Sequence, residues 1–268
     1  MEHTIIFNHI PRTGGTTLRV ILNKIYGEER VFFINSRDIP SSLERFRSMG
    51  VEARKRYKVI SGHGAIEYSG LVEKPFRITI LRDPLSLFIS QYYYLRESHN
   101  SNFREEVRKL DSFGQYLGYA LVRGQDNMMT RLMDPANKQL YLPDKPPPLM
   151  DAVGDAMLIN ARNELLIYDA VIELDNFDRG IYALSKLLGW KSIPLYRPLN
   201  KSARDDSVLS NDASLKEKVM HVLRYDLALY DHFMRNNYRI GDRAGNDSSG
   251  YSLFILRQRI MKMISRVL

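Results

Sequence analysis

The chain has 268 residues, 44% hydrophobic and 26% charged, which is typical of a soluble globular protein large enough to bury one sizeable core. It contains no cysteine, which excludes disulfides and cysteine-ligated metal sites and suits a cytoplasmic protein. Its net charge of +8 favours acidic partners such as nucleotides, nucleic acid, acidic sugars or anionic lipid.

The beginning of the sequence shows no targeting segment. A strand-like apolar run starts almost at once, without a basic region and a long hydrophobic region, so we expect no signal peptide. No apolar run approaches the roughly 20 residues of a membrane span, so we expect no transmembrane segment. We therefore expect a cytoplasmic location.

The first predicted element is a buried strand, because residues 4–10 are mostly β-branched or apolar. Pro11 ends this strand by removing a backbone donor, and the glycine pair at 14–15 lets the chain turn sharply. An amphipathic helix follows, and Thr16 or Thr17 is predicted to be its N-cap.

This strand, glycine turn and helix N-terminus direct backbone N–H groups and about half a positive charge to one point, where phosphate is the usual ligand. Arg12 adds a charged donor fork, and Thr13, Thr16 and Thr17 add hydroxyl donors. We interpret the loop as an anion site rather than an ordinary strand-to-helix turn. It does not contain the Walker pattern GxxxxGK[ST].

The rest of the chain alternates short strands with helices and has no internal repeat. Further strands are predicted at 31–34, 58–61, 77–81 and 168–174. Helices are predicted at 41–57, 84–96, 105–133 (two, broken near Gly124), 151–165, 176–188, 212–223, 226–235 and 251–268. Loops are predicted at 142–148 and 194–207, and a linker at 245–250.

This alternation predicts an α/β fold with three layers, a mostly parallel central sheet and a helical C-terminal part. We divide the chain into one α/β domain over 1–244 and a linker with an amphipathic helix over 245–268. Ligands of such sheets bind beyond the carboxyl ends of the strands. The loops after three strands hold Arg12, His63 and Arg82, so we expect these side chains to face one cleft.

Each of these groups also has a purely structural interpretation. His63 lies between two glycines after a strand, which favours exposure, but a satisfied core histidine would fit the same pattern. Arg82 precedes Asp83 and Pro84, which predict a helix start with Asp83 as N-cap. Ser90 lies about two helical turns after Arg82 and shares its face only if this helix packs beside the cleft.

Two motifs resemble those of sulfotransferases that use 3′-phosphoadenosine 5′-phosphosulfate (PAPS). The 5′-phosphosulfate loop of that family is similar to His-Ile-Pro-Arg-Thr-Gly-Gly-Thr-Thr at residues 9–17. Its 3′-phosphate motif, an Arg at a strand end and a Ser eight residues later, resembles residues 80–96. The group that the chain resembles contains heparan-sulfate 2-O-sulfotransferase and its soluble bacterial relatives.

The resemblance implies a donor site on these residues: Arg12, Thr13, Gly14, Gly15, Thr16, Thr17, Arg82, Ser90, Asn200 and Ser202. The loop would bind the 5′-phosphosulfate, and Arg82 with Ser90 the 3′-phosphate. Asn200 and Ser202 belong to a segment that resembles a family segment near the cofactor, as do residues 126–131.

The segment Ser61-Gly62-His63 resembles the Gly-His pair that supplies the family's base. The implied reaction is in-line transfer of a sulfuryl group from PAPS to a hydroxyl, with PAP as product and no metal required. His63 would take the acceptor proton and Arg12 would stabilise the leaving phosphate. The resemblance suggests a carbohydrate acceptor, and a lipid, a small metabolite or a tyrosine stays open as the alternative. We expect no nucleic-acid partner, and the oligomeric state is left open.

The sequence departs from the family pattern at Arg12, where the family usually has Lys. Arg keeps the charge but is bulkier and does not donate a proton at neutral pH. The membrane anchor of the animal Golgi members is also missing, so we expect a soluble, bacterial version.

Two other functions remain open. A P-loop-like kinase or nucleotide hydrolase shares the strand-loop-helix start, although the loop lacks the Lys-[Ser/Thr] pair and no acidic residue is plainly placed for magnesium. A non-catalytic binder of acidic polymers would suit the charge of +8, although the basic residues are dispersed.

The last predicted helix presents a possible second surface. One of its faces contains these apolar residues: Leu253, Leu256, Ile260, Ile264 and Val267. The helix is expected to dock on the protein's own core, and the alternatives are a partner interface or peripheral contact of residues 251–268 with a membrane.

Overall fold

The computed structural model describes residues 3–35, 38–99, 101, 103–137, 147–199, 206–236, 240 and 248–267. Within them, five parallel strands form one sheet in the order β2-β3-β1-β4-β5. The strands are β1 (Thr4–Asn8), β2 (Val31–Phe33), β3 (Val59–Gly62), β4 (Pro75–Leu81) and β5 (Ala170–Glu173).

Helices connect and cover these strands. In chain order they are α1 (Gly15–Tyr26), α2 (Ile39–Ser48), α3 (Val51–Lys55), α4 (Pro84–Glu97), α5 (Arg104–Arg108), α6 (Phe113–Arg123), α7 (Met128–Met133), α8 (Met150–Ile167), α9 (Phe177–Leu187), α10 (Ala213–Val222), α11 (Arg224–Arg235) and α12 (Ser248–Val267). Short 3₁₀ segments lie at Glu28–Arg30, Ala65–Leu71, Leu174–Asn176 and Asp206–Val208.

The sheet is covered on both faces, because its strands alternate apolar side chains between the two sides. Ile5 and Phe7 pack with α1, α9 and part of α12 in one buried cluster. Ile6 packs with α2 and the Ala65–Leu71 segment, and Val171 packs with α7, α8 and α11. The predicted three-layer α/β fold with a parallel sheet is confirmed.

The central strand, β1, fixes where the site forms. Asn8, the last residue of β1, is level with Gly62 of β3 and Thr79 of β4. Because the strands are parallel, the loops that follow β1, β3 and β4 leave the same edge of the sheet. That edge therefore collects the three loops predicted to carry functional residues.

Several elements differ in extent from the sequence prediction. The helix predicted over 41–57 is two helices, α2 and α3, separated at Gly50, where glycine weakens a helix. The segment 105–133 holds three helices rather than two, and Gly124, at φ +60°, follows the last residue of α6. β1 ends at Asn8, two residues earlier than predicted.

The predicted connecting segments are described only in part. Of the loop over 142–148, residues 142–146 lie outside the described residues, as do 200–205 of the loop over 194–207. In the predicted linker, residues 245–247 lie outside them, and α12 already begins at residue 248.

α12 docks on the protein's own core, but through a different face from the one predicted. Phe254 is buried against Tyr182 of α9, with ring centroids 5.8 Å apart, and Gln258 is buried one turn later. Leu253 and Leu256 are instead 59% and 53% exposed. The run of apolar residues at 253–256 surrounds the helix, so periodicity alone does not select the docked side.

Candidate active site

The loop after β1 enters α1 at a glycine. Gly14 has φ +85°, and its carbonyl accepts hydrogen bonds from the N–H groups of Thr17 (3.0 Å) and Leu18 (3.3 Å). The prediction that Thr16 or Thr17 caps α1 is wrong, because the helix already begins at Gly15 and both threonines lie in its first turn. As in any α-helix, the first N–H groups lack acceptors within the helix, which is the condition for an anion site.

Close packing explains the glycine pair. A Cβ on Gly14 would lie 2.7 Å from Cδ1 of Leu174, and the positive φ there already disfavours a side chain. A Cβ on Gly15 would lie 1.9 Å from Cδ2 of His9. The backbone at the start of α1 therefore approaches the His9 ring more closely than any other residue type allows.

Two of the threonines at residues 13–17 make hydrogen bonds with main-chain groups. Thr13 is fully buried, and its hydroxyl donates a hydrogen bond to the carbonyl of Ile10 at 2.8 Å. The Thr17 hydroxyl accepts a hydrogen bond from the N–H of Leu199 at 3.0 Å. The hydroxyl proton of Thr13 is thus engaged within the loop. Thr16, in the first turn of α1, is half-buried.

Arg12 connects the two predicted subsites. Its backbone is left-handed, with φ +62°, and its Nε donates a hydrogen bond to Oγ of Ser90 at 3.1 Å. Its guanidinium lies over the ring of Tyr94, 4.7 Å from the centroid. Its carbonyl accepts a hydrogen bond from Nη1 of Arg82 at 2.9 Å. Residues from two separate motifs therefore meet at the start of α1.

Arg82 lies between the end of β4 and the start of α4, and Ser90 lies on α4. The Asp83 carboxylate accepts a hydrogen bond from the N–H of Ser86 at 2.8 Å, and Pro84 is the first helical residue. Ser90 is buried two turns further along, and Arg82 is only 9% exposed. The predicted cap is confirmed, and α4 packs with both residues beside the loop.

His63 is fixed by a main-chain acceptor. Its Nδ1–H donates to the carbonyl of His9 at 2.5 Å, and the two imidazole rings stack with centroids 5.0 Å apart. Gly64, at φ +70°, turns the chain directly after it. Because a carbonyl only accepts, Nδ1 carries the proton and Nε2 keeps its lone pair. Burial lowers the pKa of His63, and the bond to the carbonyl opposes this shift.

The site differs from the sequence prediction at its edges. Asn200 and Ser202 lie outside the described residues, although the bond from Leu199 to Thr17 brings the chain before them to α1. Tyr94, over whose ring the Arg12 guanidinium lies, was not among the predicted site residues. Its spacing of four residues from Ser90 is the signal that places both on one face of α4.

The segment 126–131 forms a buried scaffold. Arg131 and Asp126 are an ion pair with Nη2 and Oδ1 2.9 Å apart, and both side chains are about 1% exposed. The remaining donors of Arg131 bond to the carbonyls of Asp126 and Pro148. All three nitrogens of this guanidinium are therefore engaged within the protein, and it supports the fold.

Neither a metal cluster nor a membrane span is found in the described part of the chain. There, no group of three or more His, Cys, Asp or Glu side chains is arranged to hold a metal ion. No helix among the same residues is long and apolar enough to cross a membrane.

Comparisons with known proteins identify the family of the chain. A model of the sulfotransferase family matches residues 1–231. Heparan sulfate 2-O-sulfotransferase 1 of Gallus gallus is 30% identical over 116 residues, which cover 39% of this chain and 32% of that protein. The match thus spans about a third of the length of that curated relative. On the match over residues 1–231, the chain belongs to the sulfotransferase family.

Proposed function

We propose that the chain transfers a sulfuryl group from PAPS to a hydroxyl, and that the acceptor is a carbohydrate. The observation that carries the proposal is the meeting of Arg12, Arg82 and Ser90 at the start of α1. Membership of the sulfotransferase family supports the reaction class, and the match to a heparan sulfate 2-O-sulfotransferase supports the sugar.

The residues present fit a donor with two anionic groups. Two guanidinium groups, a helix N-terminus and a serine hydroxyl supply cations and donors at one edge of the sheet. We assign the 5′-phosphosulfate to the loop and Arg12, and the 3′-phosphate to Arg82 and Ser90. PAPS, when bound, supplies the sulfuryl group and the leaving phosphate.

We assign His63 as the general base. With Nδ1–H held by the carbonyl of His9, Nε2 carries the lone pair that accepts the acceptor's hydroxyl proton. The lowered pKa keeps the ring neutral at pH 7, so the base is ready before substrate binds. Activity should therefore persist below pH 6.5 and fall only where His63 becomes protonated.

We assign stabilisation of the leaving phosphate to Arg12 and the start of α1. Negative charge grows on that phosphate as the sulfuryl group departs, and fixed cations and backbone dipoles lower the barrier most where charge develops. Arg12 is held by Ser90 and Tyr94, so little reorganisation is needed when the charge appears.

Calorimetric titration with PAP, ADP and adenosine 5′-phosphate, with and without magnesium, tests the donor site. We expect clear preference for PAP without any need for metal, because Arg82 and Ser90 would contact the 3′-phosphate that only PAP carries. Magnesium-dependent ADP binding, or no PAP binding, would overturn the proposal and favour a kinase or nucleotide hydrolase.

A panel of sugar acceptors tests the second half of the proposal. With labelled PAPS, we expect label in uronic-acid-containing polysaccharides, whose negative charge suits a protein of net charge +8. Label in phenols or lipids alone would contradict the carbohydrate assignment but leave the donor site intact.

A further inference from the structure

His9 makes two separate contacts with the candidate base. Its carbonyl accepts the Nδ1–H of His63 at 2.5 Å, and its ring stacks on that of His63 at an interplanar angle of 23°. On β1, Phe7 also stacks with His9, with centroids 5.7 Å apart. A Cβ on Gly15 would lie 1.9 Å from the His9 ring, so the glycine makes room for this ring.

We propose that His9 is a positioning residue that holds the His63 imidazole in the Nδ1–H tautomer and in one ring plane. The inference rests on the proposed function, because it takes His63 as the base. The carbonyl sets which nitrogen carries the proton, and the stacked ring limits rotation about the Cβ–Cγ bond and excludes water from that face.

The charge of His9 fits this role. Burial, followed by the nearby charges of His63, Arg19 and Arg12, lowers the pKa of His9 well below its usual range. A neutral ring can stack on His63 before and after proton transfer without repelling the imidazolium. Within the described residues, the charged or titratable groups that face this pair are Arg12 and Arg19, besides the two histidines themselves.

Imidazole ¹H–¹⁵N spectra recorded against pH test the proposal without any acceptor. The samples are the unmodified protein, His9→Ala, His9→Phe as the matched aromatic control, and His63→Ala to identify the His63 signals. We expect His63 to be in the Nδ1–H form with a pKa below 6.5. His9→Ala should raise that pKa towards 6.5 by admitting water, whereas His9→Phe should preserve it.

An Nε2–H tautomer in the unmodified protein, or a His63 pKa unchanged in folded His9→Ala, would overturn the proposal. If His9→Ala does not fold, judged by its thermal melt, the tautomer in the unmodified protein and the His9→Phe titration still decide. The proposed function fails separately, if PAP does not bind, and the assignment of His63 as the base fails if His63→Ala retains full turnover.

A second inference concerns the outer face of α12. Opposite the docked Phe254, this face exposes Leu253 (59%), Leu256 (53%) and Ile260 (40%). Arg257 and Arg259, in the same turns of α12, are also exposed. The sequence from 248 to 268 contains four basic residues and no Asp or Glu. Two copies of such a helix would bring like charges together, whereas an anionic surface would complement them.

The structure assigns this face, the α12 stripe of Leu253, Leu256 and Ile260, to the surface of an anionic lipid bilayer. Apolar side chains would enter the headgroup boundary while the arginines contact lipid phosphates. The free energy of burying each leucine there is enough to change the affinity for the bilayer by about tenfold.

Sedimentation with phosphatidylcholine vesicles, with and without phosphatidylserine, tests this assignment. We expect salt-sensitive binding to the anionic vesicles and at least about tenfold weaker binding by Leu253→Ser/Leu256→Ser. The matched control is Ile159→Ser/Leu166→Ser on α8, where the replaced residues are 58% and 65% exposed. Equal loss in both variants, no vesicle binding, or a dimer that only the stripe variant abolishes would overturn the assignment.

Discussion

The backbone of Arg12 adopts a conformation that residues with side chains normally avoid. A left-handed residue other than glycine costs about 1–3 kcal/mol and persists only where its surroundings hold it. Here the bonds to Arg82 and Ser90 and the stacking on Tyr94 do so. Arg12 is thus fixed to α4, so the two proposed anion subsites share one framework.

Replacing His63 tests the chemical step alone. His63→Ala should lower turnover by roughly 10²–10⁴ because it removes the general base, while PAP affinity barely changes. His221→Ala, which removes an exposed histidine of α10, is the matched control. The readouts are steady-state turnover and calorimetric PAP affinity. Loss of PAP binding in His63→Ala would instead identify a binding or structural residue.

Replacing Arg82 tests the 3′-phosphate subsite. Arg82→Ala should weaken PAP binding by at least about tenfold and abolish discrimination against adenosine 5′-phosphosulfate, because that ligand lacks the 3′-phosphate. Competition titrations with both ligands measure this. Arg30→Ala removes the same charge from an exposed position outside the loop and should leave both affinities unchanged. Preserved discrimination in Arg82→Ala would contradict the assignment.

A buried carboxylate of α11, that of Asp226, makes hydrogen bonds to α7. Asp226 accepts hydrogen bonds from the N–H groups of Met129 (3.1 Å) and Thr130 (2.7 Å) and from the Thr130 hydroxyl (2.8 Å). Burial raises the pKa of Asp226 to about 6, although these hydrogen bonds act in the opposite direction. α7 therefore depends on a group that titrates near neutral pH.

This carboxylate predicts a pH dependence of stability. Its pKa is raised in the folded state, so its contribution is fully present below the unfolded value of 3.8 and is lost as pH rises towards about 6. Asp226→Asn should remove this slope. It should also lower the free energy of unfolding by about 1–3 kcal/mol, because the NH₂ group of asparagine would face an N–H donor that now bonds to a carboxylate oxygen. Thermal melts of both proteins between pH 4 and 7 measure it. An unchanged slope in Asp226→Asn would contradict the assignment.

For the whole molecule, local patterns were sufficient for much of the fold. The alternation of strands and helices predicted the three-layer fold with its parallel sheet, and Asp83-Pro84 predicted the start of α4. The order β2-β3-β1-β4-β5 could not be derived, since it depends on contacts between distant segments. The docked side of α12 was also ambiguous, because the apolar run at 253–256 fits either face.

The motifs predicted which residues belong to the candidate site, but not all of the contacts between them. The predicted strands placed Arg12 and Arg82 after strand ends, and helical spacing placed Ser90 two turns after Arg82. The parallel sheet brings the two strand ends together. The contact between His9 and His63 was not predictable, because a main-chain carbonyl has no sequence signature. The acceptor bound by Thr13 and the donor bound by Thr17 are main-chain groups whose positions depend on the course of the chain, and they were missed for the same reason.

The central place of β1 also bears on how the protein is synthesised. Of the five strands of this sheet β1 is synthesised first, but its neighbours β3 and β4 begin only at residues 59 and 75. During that interval both edges of β1 and its apolar residues Ile5, Ile6 and Phe7 lack their native partners, which exposes an aggregation-prone segment. The nascent chain therefore needs protection early, and the contacts of Arg12 with Ser90 and Tyr94 cannot form until α4 has emerged.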